Sequence, residues 1–227
     1  MTLPDDSDRR PIASVDLVIF ALAEAGLAVL LMRRGAAPFA GSWALPGGWI
    51  HPGADADLEA AARRVLREKT GVEAPYVEQL QSFGNAGRDP RGWSLSIAYV
   101  ALLSAEEALR RGANAADVAW HPAAASPPLA FDHDAILRAA LARLRSKVEY
   151  STLPAHLLPA AFTLSELQSV YERILGRNLD KSAFRKRIAD AGCVEAVPGA
   201  MRRASHRPAQ LYRLKQARAT AFFDRIL

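Results

Sequence analysis

Residues 45–72 read LPGGWIHPGADADLEAAARRVLREKTGV, a loop with two adjacent glycines running into a stretch of helical periodicity. Leu58, Ala61, Ala62, Val65 and Leu66 recur three and four residues apart, so they line one face of a helix over 57–69. Thr70-Gly71 predicts its end, with Gly71 in the capping position. Gly47 and Gly48 permit close approaches that a side chain would block. Upstream, β-rich runs at 15–22 and 27–32 around a turn at 23–26 predict a hairpin, and 38–48 reads as a loop. Downstream, 78–83 and 94–103 read as strands on either side of the polar loop GNAGRDPRG, residues 84–92. Ile136, Leu137, Ala140, Leu141 and Leu144 predict one face of a helix over 132–147.

The chain has 227 residues, enough for two modest domains, and half of them are hydrophobic, as in ordinary globular proteins. Its one cysteine, Cys193, excludes an internal disulfide and fits a reducing compartment. The start, MTLPDDSDRRPI, places acids where a secretory signal needs basic residues. The apolar run at 15–32 is interrupted by Asp16, Glu24 and Gly26, and so reads as two strands rather than a membrane span. A cytoplasmic protein with no membrane contact is expected. The net charge of +5 is uneven: residues 151–227 hold 13 Lys+Arg against 6 Asp+Glu, while 1–150 are slightly acidic. A basic C-terminal part suggests a polyanionic partner, with nucleic acid the leading candidate and a solvated basic surface the plain alternative.

At 149–161, EYSTLPAHLLPAA, two prolines and a change of charge sign mark a linker or domain boundary, with one domain over 1–148 and another over 149–227. Thr163-Leu-Ser-Glu166 is a capping box opening a helix that stops at Gly176. Asp180 caps the next helix, KSAFRKRIADA, which stops at Gly192. Strands at 194–197 and 210–214 flank the basic loop PGAMRRASHRPA. Two helices and a basic hairpin describe a winged helix-turn-helix. Phe184 and Ile188, four residues apart, face its core and leave Lys181, Ser182, Arg185, Lys186 and part of Arg187 toward DNA. Arg202, Arg203, His206 and Arg207 in the wing would meet phosphates. A two-fold dimer would present two such helices to a palindrome.

The stretch at 45–72 resembles the Nudix box, whose glycine loop leads into a helix bearing Arg-Glu-apolar-x-Glu-Glu and then Gly. In that family the glutamates hold divalent cations, usually Mg²⁺, against a pyrophosphate that water attacks. Gly47, Gly48, Arg64, Leu66, Glu68 and Gly71 match. Val65 and Lys69 stand where the pattern has glutamates, and Ala54 where it has an isolated one. Asp55, Asp57 or Glu59 offer partial compensation off the last helical turn. A retained pocket with weakened or lost hydrolysis is therefore expected, Glu68 being the remaining candidate catalytic and metal-binding residue and Mg²⁺ being needed only if turnover survives. Arg64 and Lys69 either attract a pyrophosphate directly or serve, respectively, as a helix–loop tether and a solvated surface residue. Arg88 and Arg91 suit an anionic ligand, and Trp93 or Phe83 could stack on a base.

Taken with the downstream RDPRG loop and LLPAAFTLSELQSVYERILGRNLDKSAFRKRI, the chain from about 12 to 215 resembles the Nudix-related transcriptional regulators of NAD metabolism. The resemblance implies an α+β chain: an N-terminal Nudix fold, a mixed β-sheet sandwiched between helices, then a C-terminal winged helix-turn-helix. It implies a homodimeric repressor that binds a palindromic double-stranded DNA operator, senses ADP-ribose or a related NAD metabolite, and requires no cofactor. It places Arg88, Asp89 and Arg91 near the effector, with Arg64 and Glu68, beside Lys69, in the pyrophosphate region. An active Mg²⁺-dependent ADP-ribose pyrophosphatase is the alternative.

Overall fold

Between Val15 and Ala21 every side chain is buried, which makes the first strand the centre of a sheet covered on both faces. The computed structural model describes residues 11–71, 74, 76–112, 117–203 and 208–215. In chain order its first part comprises β1 (Ile12–Ala23), β2 (Gly26–Arg33), β3 (Trp43–Ala44), β4 (Gly47–Trp49), α1 (Leu58–Thr70), β5 (Tyr76–Asn85), β6 (Ser94–Leu102), α2 (Ala105–Gly112), β7 (Val118–Pro122) and α3 (His133–Val148). A 3-10 turn (Leu153–Leu157) leads to α4 (Leu164–Leu175), α5 (Lys181–Ala191), β8 (Val194–Arg202) and β9 (Ala209–Leu214). The strand order is β3-β2-β1-β6-β5, with β4 beside β1 and β7 beside β2. β1 runs parallel to β6 and antiparallel to β2 and β4, so the sheet is mixed. Among the described residues no helix is long and apolar enough to cross a membrane.

Segment 38–48, expected as a loop, contains β3 and β4, and the short α2 and β7 had no expectation at all. Strands of two to five residues carry no readable period and are decided by distant pairing. β4 in particular pairs Gly47 with Asp16. A Cβ on Gly47 would collide with Asp16 Oδ1 and stand 3.1 Å from the Val15 carbonyl, so only glycine fits this ladder position.

α1 and α2 cover one face of the sheet, where Ala61, Ala62, Val65 and Leu66 pack on Val15, Leu17 and Ile19. On the other face Val18 and Phe20 meet Ile136 and Leu144 of α3, and the same apolar core continues to Tyr171, Phe184 and Ile188. Of the two readings of the connector, linker or domain boundary, this core excludes a solvated linker: Ser151 through Leu157 are all buried. Proline-containing segments read alike whether they are solvated or, as here, wound into a 3-10 turn whose Leu153 and Leu157 face the sheet side. The Tyr171 hydroxyl donates to the Ser151 carbonyl at 2.6 Å, and Arg173 donates to the Ala23 and Glu24 carbonyls in the β1–β2 turn. α4 thus closes on both the connector and the hairpin.

α4 opens with the expected capping box, and α5 is capped by Asp180. β8 runs further than the expected 194–197. Its register shifts between Ala196 and Met201, and Gln210 Nε2 holds the bulge by donating to the Val197 and Ala200 carbonyls at 2.8 and 3.1 Å. The expected wing residues His206 and Arg207 lie outside the described residues.

Asp57 caps α1, and Gly71 ends it in the left-handed conformation with φ 62°. Arg64 fastens the preceding loop to that helix. Its Nε and Nη2 reach the Asp55 carboxylate at 2.7 and 2.8 Å, and Nη2 also donates to the Trp49 carbonyl at 2.9 Å. The hydrogen bonds from Arg64 and then from the His51 N–H hold the Asp55 carboxyl at about 2. A carboxyl depressed on folding contributes stability above its ordinary value and loses it as pH falls toward the folded one. Asp55→Asn should therefore lower the thermal midpoint at pH 7, and the gap from wild type should narrow between about pH 4 and pH 2. Thermal unfolding of both proteins across that range checks it; a gap that does not change with pH would contradict the tether's charge.

Candidate ligand cleft and nucleic-acid surface

Alternation along β1 aims Ser14 and Asp16 to the face that α3 covers. The glycine pair, the loop after β5, the end of β2 and the start of α3 converge over them. The result is a cleft of about 150 Å³, open to solvent and lined by Ser14, Asp16, Arg34, Leu45, Gly47, Gly48, Trp49, Arg88, Asp89, Arg91, Phe131 and His133.

Of the three arginines, Arg88 is the most committed to the protein. It pairs bidentately with Asp132 at 2.8 and 2.9 Å, lies 3.6 Å from Asp16, and reaches Ser94 Oγ at 3.4 Å. Burial alone would lower its pKa, but the Asp132 bond and the Asp16 charge raise it. It is therefore a clamp between the loop and the start of α3. Arg91 pairs with Asp89 at 2.7 Å, which holds that carboxyl below its ordinary range, yet the Arg91 side chain remains partly exposed. Arg34 donates to the Pro38 and Ala36 carbonyls, and among the described residues no carboxylate pairs with it. Burial, then the neighbouring Arg91, lowers its pKa. The Arg34 guanidinium lies 4.6 Å from the Phe131 ring centre, and that of Arg91 lies 5.9 Å from both Phe131 and Trp49. Flat aromatic faces beside an uncompensated cation suit a ligand that combines a base with phosphates.

His133 forms part of the floor. Its Nδ1 accepts the Leu45 N–H at 2.9 Å, which places the proton of the neutral ring on Nε2, 3.6 Å from Asp16 Oδ1. Burial lowers its pKa and keeps it neutral.

Arg64, Glu68 and Lys69 are not walls of this cleft. Arg64 is the tether described above, Glu68 is half exposed and 3.2 Å from Arg64, and Lys69 is exposed. Val65 is fully buried, and a Cβ on Gly48 would stand 2.8 Å from its Cγ2. Asp57 is occupied as a cap and Glu59 with Arg63. These residues do not fit a magnesium ion: a hard dication needs several oxygen ligands, and here one carboxylate already paired with arginine stands beside a lysine and a buried valine. Among the described residues no three His, Cys, Asp or Glu side chains converge.

Phe83 and Trp93 do not line the cleft; Phe131 and Trp49 do. Sequence reasoning missed Ser14, Asp16, Arg34, Phe131 and His133 as site residues. Asp16 carried a signal, as a charge within an apolar strand.

On α5, Phe184 and Ile188 are buried while Lys181, Ser182, Arg185 and Lys186 are exposed and Arg187 is half-buried. Arg203 is exposed. Arg202 Nη2 donates to the Ala161 carbonyl at 3.2 Å and lies 3.4 Å from Glu166, fastening the wing to the start of α4.

Comparison with known proteins agrees with both halves. Residues 11–143 match the NUDIX domain family, and residues 154–214 match the NrtR DNA-binding winged helix domain. An ADPR-responsive transcriptional repressor of Acinetobacter baylyi is 44% identical over 205 residues, covering 89% of this chain and 82% of that protein. Shewanella oneidensis NrtR, solved in complex with a 27mer DNA, is 41% identical with a TM-score of 0.88, covering 94% of this chain and 98% of that one. The NUDIX domain of the same protein, solved with ADP ribose, is 40% identical with a TM-score of 0.55, covering 63% of this chain and 94% of that one. The family matches cover the sheet domain and the winged helix in turn, and the chain belongs to the NrtR family of Nudix-domain transcriptional regulators.

Proposed function

We propose that the protein is a cytoplasmic transcriptional repressor that binds a palindromic DNA operator as a homodimer and releases it when ADP-ribose or a related NAD metabolite fills the cleft. The observation that carries this reading is a cleft of arginine and aromatic side chains sharing one apolar core with an exposed basic helix. The DNA-bound and ADP-ribose-bound structures of the S. oneidensis relative support it. Arg34, Arg91 and Phe131 contact the effector, while Arg88 and Asp89 position the loop that carries Arg91. Lys181, Ser182, Arg185, Lys186 and Arg187 face the major groove, and Arg203 meets phosphate beside it, together with His206 and Arg207.

The route between the sites starts at the Arg88–Asp132 clamp, runs along α3, and reaches the buried Ser151 carbonyl that receives Tyr171 of α4. An effector shifts the heads only by its differential affinity for the two arrangements, so one that draws Arg91 or the clamp inward acts on this path. No cofactor is required, and the set of residues at Val65, Glu68 and Lys69 supports binding without magnesium-dependent hydrolysis.

Saturating ADP-ribose should release the protein from DNA upstream of its own gene, read by fluorescence anisotropy; equal affinity with and without ADP-ribose would overturn the effector assignment. Arg91→Ala should weaken ADP-ribose binding by about tenfold or more while leaving effector-free operator affinity unchanged. Arg185→Ala should do the reverse, weakening the operator complex by about 1–3 kcal/mol with ADP-ribose binding intact. Incubation with ADP-ribose and Mg²⁺ should give no turnover, whereas turnover that Glu68→Gln abolishes would establish the hydrolase instead.

A further inference from the structure

A second cavity lies where the first part of the chain meets the wing, and it shares no wall residue with the cleft. Its walls come from the start of α2 (Ser104, Glu107), the connector (His156, Ala160) and the base of the wing (Phe162, Leu214). Its volume is about 260 Å³, room for one small organic molecule.

Its chemistry differs from that of the cleft. At its edge Arg213 holds Glu195 at 2.7 Å, and the Glu107 carboxylate accepts from the Ser104 N–H and hydroxyl, both at 2.8 Å. An anionic ligand would meet, among the described residues, an arginine already paired and a carboxylate beside it. The exception among the polar groups is His156, only 3% exposed, whose Nε2 has no hydrogen-bond partner among the described residues. A buried polar atom left without a partner is rare and destabilising, and it points to something that binds there. The ring lies 5.0 Å from that of Tyr76, and burial holds its pKa at about 4, so at neutral pH it offers one N–H and one lone pair.

We propose that this cavity is a second binding site, taking a small, flat, uncharged molecule with an amide-type group, hydrogen-bonded by the His156 imidazole between the apolar walls of Phe162 and Leu214. An amide can pair with Nε2 whichever way the ring is protonated there, donating its N–H to a lone pair or accepting an N–H at its carbonyl, and a flat body fits walls of this kind. Because those walls belong to the sheet domain, the connector and the wing at once, an occupant that favours one arrangement of them changes DNA affinity, and DNA changes its affinity by the same factor.

Benzamide is the probe, with benzoate as its charged counterpart, both titrated by ligand-detected NMR against the full-length protein saturated with ADP-ribose. His156→Phe keeps the stacking on Tyr76 while removing the nitrogens, and Ala160→Trp fills the cavity from an exposed position; thermal unfolding verifies that both variants fold. Benzamide should bind saturably at about millimolar concentration despite the ADP-ribose, benzoate at least about tenfold more weakly, and each variant should raise the benzamide Kd about tenfold or more. Absence of saturable binding, displacement by ADP-ribose, or an unchanged Kd in either variant overturns the proposal. Because benzamide and ADP-ribose are measured separately, failure here leaves the reading of the first cleft standing.

Discussion

The burial of one continuous apolar core, from Val18 and Phe20 through Leu153 and Leu157 to Phe184 and Ile188, is the constraint on which the rest of the molecule depends. A basic helix placed on a flexible tether would search for DNA independently of whatever the sheet domain binds. Here α4 packs on the sheet side, its Tyr171 bonds the connector, and its Arg173 bonds the β1–β2 turn. Interiors packed at crystal density do not deform smoothly, so a shift of the heads means exchange between discrete packings. That is the physical requirement for a switch.

The altered α1 helix fits the same picture. Val65 packs beneath Gly48, and Arg64 ties Asp55 and the Trp49 carbonyl to the helix. The residues that remain of the Nudix pattern therefore shape the loop at the rim of the cleft. Glycines are needed there for close packing whether or not a metal is bound, which is why Gly47 and Gly48 coexist with a buried valine at a glutamate position.

Long elements with an apolar face were legible in the sequence: α1, α3, α4 and α5 declared themselves by periodicity and caps, and β1 and β2 by composition. β3, β4 and β7 were not, since their existence depends on partners far along the chain. The burial of the connector was not legible, because proline marks solvated linkers and buried 3-10 turns alike. In the cleft, the loop carrying Arg88, Asp89 and Arg91 stood out by charge, but nothing local distinguishes an arginine clamped by Asp132 from one left to face a ligand. Asp16 looked like a break in an apolar run. Its meaning came only with Gly47, Arg88 and His133 around it, contacts made by folding rather than by spacing.

The bond from the Leu45 N–H to His133 Nδ1 has a consequence for recognition. Protonating this imidazole would take away the lone pair that a buried backbone amide relies on, and burial opposes the charge as well, so both hold the ring neutral. A ligand seated on such a floor meets a polar but uncharged N–H at His133, and its own charge is met by the arginines at the rim.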